Sequence, residues 1–182
     1  MAKQKKRIII TGAHGVGKTT LMNALAQDGT RTISQVSRKV ISENNFDHSV
    51  NTTTECQKAI FKALKKELSS KKSYISDRGL SCVAGYTFNK ALKEEIPKKV
   101  ADKQYIDFEK FHKDNPDILL VYVPIEFPIV TDGYRYDDPA YQEEIDFLIK
   151  NILVTSGVQY ITVTGTVEER VAQVEEALKN MV

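Results

Sequence analysis

Short runs of β-branched and apolar residues alternate along this chain with longer segments in which apolar residues recur every three or four positions. The short runs predict strands, because a strand that is covered on both faces needs nearly continuous apolar side chains. The predicted strands are residues 7–11, 32–36, 73–76, 117–123 and 160–164. The longer segments predict helices, and these are residues 20–27, 52–68, 79–92, 101–113, 139–153 and 167–178.

Polar residues support several of the predicted helix starts. Thr52 and Glu55 have the spacing of a capping box, and so do Thr166 and Glu169. Asp138 stands directly before a proline, which is a favoured order at the beginning of a helix.

The regular alternation of strands and helices predicts an α/β fold. We expect a doubly wound, five-stranded parallel sheet with helices on both faces. A single domain should extend over residues 1–182, with a basic tail at 1–6 and a polar, glycine-containing loop at 130–138.

Composition excludes some classes of function. The 182 residues are 41% hydrophobic and 27% charged, and the net charge of +2 argues against a protein that coats nucleic acids, which needs a concentrated basic face. No apolar run reaches the ~20 residues of a membrane helix. Cys56 and Cys82 lack metal-ligand spacing, so we expect two reduced, partly buried thiols in a cytoplasmic protein. We expect this protein to be a monomer or a homodimer.

A glycine-rich turn follows the first predicted strand. Residues 12–19 read GAHGVGKT and match G-x-x-x-x-G-K-[ST], a pattern whose main-chain N–H groups surround a phosphate at a helix N-terminus. We therefore predict that ATP binds here with Mg²⁺, that Lys18 lies beside the β- and γ-phosphates, and that the Thr19 hydroxyl binds the metal. The predicted contacts are Gly12, Ala13, His14, Gly15, Val16, Gly17, Lys18, Thr19 and Thr20.

An aspartate–arginine pair follows the third predicted strand. Asp77 can accept a hydroxyl proton or organise Mg²⁺, and Arg78 can hold phosphate oxygens, so both join Lys18 as predicted catalytic residues. The pair favours a kinase over a mechanical ATPase, which would carry an Asp-Glu pair here. Residues 89–92, NKAL, lack the aspartate of the Asn-Lys-x-Asp pattern in guanine-specific switch proteins.

Three stretches resemble known kinases. YISDRGL, residues 74–80, resembles the Asp-Arg strand end of P-loop nucleoside and nucleotide kinases, the group that contains thymidylate kinase. Residues 123–153, VPIEFPIVTDGYRYDDPAYQEEIDFLIKNIL, resemble the bacterial nicotinamide riboside kinase-like family, an AAA-type, ATPase-like P-loop family. QVSRKVI, residues 35–41, is similar to the Glu-x-x-Arg element of that family, and the resemblance extends over about residues 7–180.

The resemblance implies roles for residues outside the phosphate loop. Residues 131–138 would form a lid that closes over the phosphates and excludes water. Arg135 would bring positive charge to the transferring phosphoryl group. Asp132 would orient the lid or contact the substrate; the alternative is that it only stabilises a turn. Arg38 would bind the acceptor. Tyr86, in the helix after the aspartate–arginine pair, is also a candidate for stacking a nucleobase.

The predicted function is therefore the ATP-dependent transfer of a γ-phosphoryl group to a small acceptor, either a nucleoside or a (deoxy)nucleoside monophosphate. One alternative is a kinase for a hydroxyl of a polynucleotide or modified DNA base, with a groove lined by Lys98, Lys99 and Lys103. Another is a nucleotide-gated ATPase or GTPase that binds without a small acceptor.

Overall fold

A computed structural model describes residues 6–26, 29–46, 53–128 and 138–181 of the chain. The strands in these ranges are β1 (Arg7–Thr11), β2 (Thr32–Ile33), β3 (Tyr74–Ser76), β4 (Ile118–Tyr122) and β5 (Ile161–Thr162). The helices are α1 (Lys18–Leu25), α2 (Val36–Glu43), α3 (Thr54–Leu68), α4 (Leu80–Leu92), α5 (Lys98–Lys113), α6 (Pro139–Ser156) and α7 (Val167–Asn180).

β1 is the central strand of a five-stranded parallel sheet with the order β2-β3-β1-β4-β5. Arg7 pairs with Tyr74 of β3 and with Ile118 of β4, so the carboxyl ends of these three strands meet at one edge. α1 packs against α7, whereas α4 packs against α5 and α6, and fully buried residues such as Ile9 and Ile149 lie in the core. The predicted α/β fold with a five-stranded parallel sheet is confirmed.

Side-chain caps define where α6 and α7 begin. The Asp138 carboxylate accepts a hydrogen bond from the Ala140 amide at 2.9 Å. Thr166 and Glu169 form both hydrogen bonds of a capping box. Both predicted helix starts are therefore confirmed.

Three other helices begin at different residues from those predicted. The N-cap of α3 is Thr53, whose hydroxyl accepts from the Cys56 amide, and not Thr52, which lies outside the described residues. Two adjacent threonines offer the same hydroxyl, so the sequence pattern could not separate them. α1 begins at Lys18 and α5 at Lys98, in both cases before the predicted position.

The region after β2 is the main departure from the predicted secondary structure. Residues 34–36 were expected to continue the strand, but Gln35 has a left-handed backbone (φ 56°) and is the N-cap of α2. Val36, Val40 and Ile41 recur at helical spacing in α2, but the helix has only eight residues and Val40 alone is buried, so its apolar signal in the sequence is short. β5 is likewise limited to Ile161–Thr162.

Both cysteines are buried thiols. Cys56 and Cys82 are 0% and 1% exposed, which is more complete burial than the sequence predicted. Burial raises the pKa of the Cys56 thiol above its ordinary value. Among the helices in the described ranges, none has the length together with the apolar character that crossing a bilayer requires.

A buried histidine should make the fold sensitive to acid. His112 in α5 packs against the rings of Phe108 and Phe111, with centroids 4.8 and 5.2 Å away. Burial lowers the pKa of His112 from 6.5 to about 4. Between these two values the unfolded chain binds a proton that the folded protein does not, so stability falls as the pH falls through this window.

We expect His112 to reduce the free energy of unfolding by about 2 kcal/mol between pH 7 and pH 5. Urea unfolding followed by circular dichroism at the two pH values measures this change. In His112→Gln the decrease should be smaller by that amount. An identical decrease in both proteins would show that this histidine is not responsible.

Candidate active site

Three glycines give the loop between β1 and α1 its shape. Gly12, Gly15 and Gly17 have φ values of 142°, 77° and 88°, which side chains other than hydrogen rarely allow. A Cβ atom on Gly12 would also collide with the carbonyl oxygen of Val123. Gly17 is the N-cap of α1, so the first amides of the helix open onto the loop. The backbone has the concave form that binds phosphate.

A cavity of about 680 Å³ opens over this loop. Its walls join the loop to the beginning of α2, to the two residues after β3 and to the segment after β4. The lining residues are His14, Gly15, Gly17, Lys18, Thr19, Thr20, Ser34, Gln35, Ser37, Arg38, Asp77, Arg78 and Phe127. Most of the residues predicted to bind ATP or the acceptor thus meet in one cavity, at the carboxyl edge of the sheet.

Thr19 and Asp77 form the polar centre of the cavity. The Thr19 hydroxyl donates a hydrogen bond to Asp77 Oδ2 at 2.9 Å, across the gap between the beginning of α1 and the end of β3. Asp77 is 8% exposed, so its carboxylate is largely shielded from water. A hydroxyl and a carboxylate are the oxygen ligands that Mg²⁺ prefers, and the pair therefore fits the predicted metal.

Lys18 places a buried ammonium group inside the phosphate loop. The side chain is 8% exposed and donates a hydrogen bond to the carbonyl oxygen of Ala13. Arg78 is half-buried beside Asp77 and lines the same cavity. A lysine and an arginine thus flank the oxygen pair, which is the distribution of charge that a transferring phosphoryl group needs.

The beginning of α2 forms the opposite wall. Arg38 is exposed and lines the cavity together with Ser34, Gln35 and Ser37. This wall offers a guanidinium group, hydroxyls and an amide, all of which can hydrogen-bond to a polar acceptor.

Tyr86 lies behind the loop. The hydroxyl of Tyr86 is 3.0 Å from Nδ1 of His14, and its ring is 6.3 Å from the ring of Tyr141 in α6. His14 is therefore a packed member of an aromatic group, as well as a residue of the cavity wall. The role predicted for Tyr86 in stacking a base stays a prediction, since Tyr86 is not among the described residues that line the cavity.

Two predicted site residues fall outside the described part of the chain. Asp132 and Arg135 belong to residues 129–137, and so does almost all of the predicted lid. Asp138, at the end of the predicted lid, is the N-cap of α6.

An acidic side chain of α6 lies close to the loop. Asp146 accepts a hydrogen bond from the hydroxyl of Tyr122 at 2.7 Å. Burial raises the pKa of Asp146, although the hydroxyl of Tyr122, the amide of Ala13 and the positive charges of Lys150 and Lys18 oppose the increase. Asp146 therefore adds a carboxylate to the surroundings of the phosphate loop.

Other residues that the sequence did not point to hold the loop from behind. Gln142 of α6 donates to the carbonyl oxygen of His14 at 2.7 Å, and Arg170 of α7 donates to that of Val16 at 2.9 Å. Arg170 also pairs with Glu126 at 2.5 Å. Gln142 and Arg170 were missed because each is one of several polar residues in an amphipathic helix and lies more than 120 positions from its partner in the loop.

Glu126 is fixed by its own hydrogen bonds. It accepts from the amide of Gly165 at 3.0 Å as well as from Arg170. Although burial alone would raise it, these hydrogen bonds and the guanidinium charge lower the pKa of Glu126. The carboxylate therefore stays charged at neutral pH and holds Arg170 in place.

Comparison with protein-family models finds one that is described as an AAA domain and matches residues 7–170. A search of curated protein sequences finds no match.

Solved structures with the same fold include three nucleotide-binding proteins. The NadR protein, in complex with NAD and AMP-PNP, superposes with a TM-score of 0.71 at 16% identity, over 96% of this chain and 50% of that chain. This chain thus spans about half the length of NadR. Deoxyadenosine kinase from M. mycoides, with dCMP and a flexible dCDP bound, superposes with a TM-score of 0.66 at 16% identity, over 97% and 100% of the two chains.

Thymidylate kinase from Candida albicans superposes with a TM-score of 0.63 at 16% identity, over 97% of this chain and 92% of that chain. At such low identity these likenesses establish the fold alone. They confirm the fold that the resemblance implied.

Proposed function

The chain belongs to the AAA domain family, and from this premise we propose that it is an ATP-dependent kinase that transfers the γ-phosphoryl group to a nucleoside or a nucleoside monophosphate. The hydrogen bond between Thr19 and Asp77, in one cavity with Lys18, Arg38 and Arg78, carries the proposal. A phosphate loop alone does not distinguish a kinase from a switch protein or an ATPase. The two arginines and the polar wall of α2 add a place for a second substrate.

The donor side of the proposed site uses the phosphate loop. The triphosphate of ATP would lie on the main-chain amides of residues 12–19, with the Lys18 ammonium beside its β- and γ-phosphates. Thr19 and Asp77 would hold Mg²⁺, which neutralises charge on the phosphate oxygens when bound. NadR has been solved with AMP-PNP, a non-hydrolysable ATP analogue, and this supports a triphosphate as the ligand of the same fold.

The acceptor side uses the opposite wall. The acceptor would lie between the beginning of α2 and the residues after β3, where Arg38 can bind it and Arg78 can hold phosphate oxygens. Asp77 would orient the attacking hydroxyl or receive its proton. In this proposal Arg135 and Asp132 act from the lid. The deoxyadenosine kinase structure with dCMP and dCDP bound supports a nucleotide-sized acceptor.

The polynucleotide alternative has less support. Lys98, Lys99 and Lys103 are exposed on the first two turns of α5, and none of them is among the described residues that line the cavity. Lys103 is also paired with Asp107 at 3.0 Å. Steep salt dependence of acceptor binding would favour this alternative, because contacts with backbone phosphates release counterions.

A two-step experiment tests the proposal. Thermal-shift measurements with AMP-PNP and Mg²⁺ across a panel of nucleosides and monophosphates should show an additional rise in Tm for the true acceptor, because a ligand that binds only the folded state stabilises it. γ-Labelled ATP should then transfer its label to that compound. Label recovered only as inorganic phosphate, across the whole panel, would overturn the kinase assignment and favour a nucleotide-gated switch.

A further inference from the structure

Two side chains from distant helices contact the outer surface of the phosphate loop. Gln142 Nε2 donates to the carbonyl oxygen of His14 at 2.7 Å, and Arg170 Nη1 donates to that of Val16 at 2.9 Å. Both residues are almost completely buried, at 2% and 3% exposure. Both acceptors are main-chain carbonyl oxygens of the loop, so these hydrogen bonds restrict the orientation of two of its peptide planes.

The planar trans peptide converts these contacts into an orientation for the neighbouring amides. In such a peptide the C=O of one residue and the N–H of the next point in opposite directions. If Gln142 holds the His14 carbonyl on its own side, the N–H of Gly15 must point away from Gln142. In the same way, Arg170 directs the N–H of Gly17 away from itself.

Gly15 and Gly17 line the cavity, whereas Gln142 and Arg170 are not among its described lining residues. Amides that are directed away from these two side chains are therefore directed towards the cavity. Two phosphate-facing amides are therefore held by side chains that do not touch the ligand space. Lys18 acts on a third peptide of the loop through its hydrogen bond to the Ala13 carbonyl, but from within the cavity.

Arg170 is itself held rigidly. Its second nitrogen is paired with Glu126, which also accepts from the Gly165 amide, and its guanidinium lies 5.8 Å from the centre of the Phe127 ring. Its Nε is buried without a hydrogen-bond partner among the described residues. A buried N–H without a hydrogen-bond partner lowers stability. Arg170 is thus held in a position in which it contacts the loop, although one of its N–H groups makes no hydrogen bond to a described residue.

We propose that Gln142 and Arg170 are positioning residues that preorganise the phosphate loop by turning the Gly15 and Gly17 amides toward the donor phosphates. This inference rests on the proposed binding of a nucleoside triphosphate at the loop. Preorganised amides bind an anion without first reorienting, so loss of either hydrogen bond should weaken the binding of the triphosphate more than it weakens the fold.

Calorimetric titration of the full chain with AMP-PNP and Mg²⁺ tests the inference. We expect Gln142→Leu and Arg170→Met each to raise the Kd for AMP-PNP about tenfold. Arg170→Lys keeps a charge and one donor, so it should recover part of this loss and should also remain folded if Arg170→Met does not. The Kd of the acceptor measured without AMP-PNP should change less than twofold in all three variants.

Gln173→Leu is the matched control. Gln173 of α7 donates to the Thr164 carbonyl at 2.8 Å and accepts from the Thr164 amide, so its loss also removes hydrogen bonds between a glutamine and a loop. We expect an unchanged Kd for AMP-PNP in this variant and a change in Tm no larger than that of Gln142→Leu, because the hydrogen bonds of Gln173 are exposed.

The outcomes separate the two proposals. If the wild-type chain binds no AMP-PNP, the proposed function fails. If the wild type binds it and Gln142→Leu and Arg170→Met bind it equally well, only the positioning roles are refuted. Should Arg170→Met not fold, Gln142→Leu and a comparison of Arg170→Lys with the wild type decide the same question. Equal weakening in Gln173→Leu would also overturn the inference, because it would indicate a general loss of stability.

Discussion

Replacing Lys18 with alanine is expected to lower kcat about 10²–10³-fold while the protein stays folded. The ammonium group lies inside the phosphate loop at 8% exposure, where little water competes with it for phosphate oxygens. Negative charge spreads over the γ-phosphoryl oxygens during transfer, and a cation held in a poorly hydrated site stabilises that charge. Steady-state kinetics with the acceptor identified by the thermal-shift panel measures the effect.

A second buried lysine provides the control for this variant. Lys90 of α4 is 4% exposed and is paired with Glu95 at 2.7 Å, and it is not among the described residues that line the cavity. Lys90→Ala therefore removes a buried ammonium group without touching the proposed site. We expect it to lower Tm and to leave kcat nearly unchanged. Wild-type turnover in Lys18→Ala would refute the assignment of this residue.

Replacing Asp77 with asparagine should lower kcat by about two orders of magnitude or more, because a neutral amide can keep the hydrogen bond from Thr19 but supplies no negative charge. The Thr19 hydroxyl is 2.9 Å from the carboxylate, so the substitution preserves the local shape. Tm should stay within a few degrees of the wild-type value. Circular dichroism and kinetics as a function of Mg²⁺ concentration measure the two effects.

The Mg²⁺ dependence also distinguishes the two roles proposed for Asp77. If Asp77 organises the metal, high Mg²⁺ should restore part of the activity of Asp77→Asn. If it receives the proton, Mg²⁺ should have no effect on the activity of Asp77→Asn. Asp107→Asn removes a carboxylate of α5 that is paired with Lys65 of α3; it is the control and should behave like the wild type. Full activity of Asp77→Asn would contradict both roles.

The donor half of the site could be predicted from the sequence because its residues are close together in the chain. Residues 12–19 can be recognised as a phosphate loop from their own sequence, since the positive φ angles of the glycines and the start of α1 are local properties. Asp77 and Arg78 could be placed because a parallel sheet brings the ends of adjacent strands to one edge. The Thr19–Asp77 hydrogen bond follows from this topology.

The wall opposite the loop was harder to predict. α2 has only eight residues, of which one is buried, and it begins at a left-handed Gln35 that makes no side-chain cap hydrogen bond, so the sequence offers neither a long apolar face nor a usual N-cap. Arg38 was identified by resemblance and not by local pattern, although the structure does bring it to the cavity. The lid residues Asp132 and Arg135 remain predictions.

By itself the sequence determined which segments become strands and helices in the core, the order in which they alternate, and the composition of the phosphate loop. These properties depend on side-chain periodicity and on backbone preferences over a few neighbouring residues. Only the tertiary structure decided which distant side chains support that loop, with Gln142 and Arg170 as the main cases. Their role depends on where α6 and α7 pack against the loop. The partners of these two side chains lie more than 120 positions away, and the local sequence of an amphipathic helix does not indicate which of its polar residues will make such a contact.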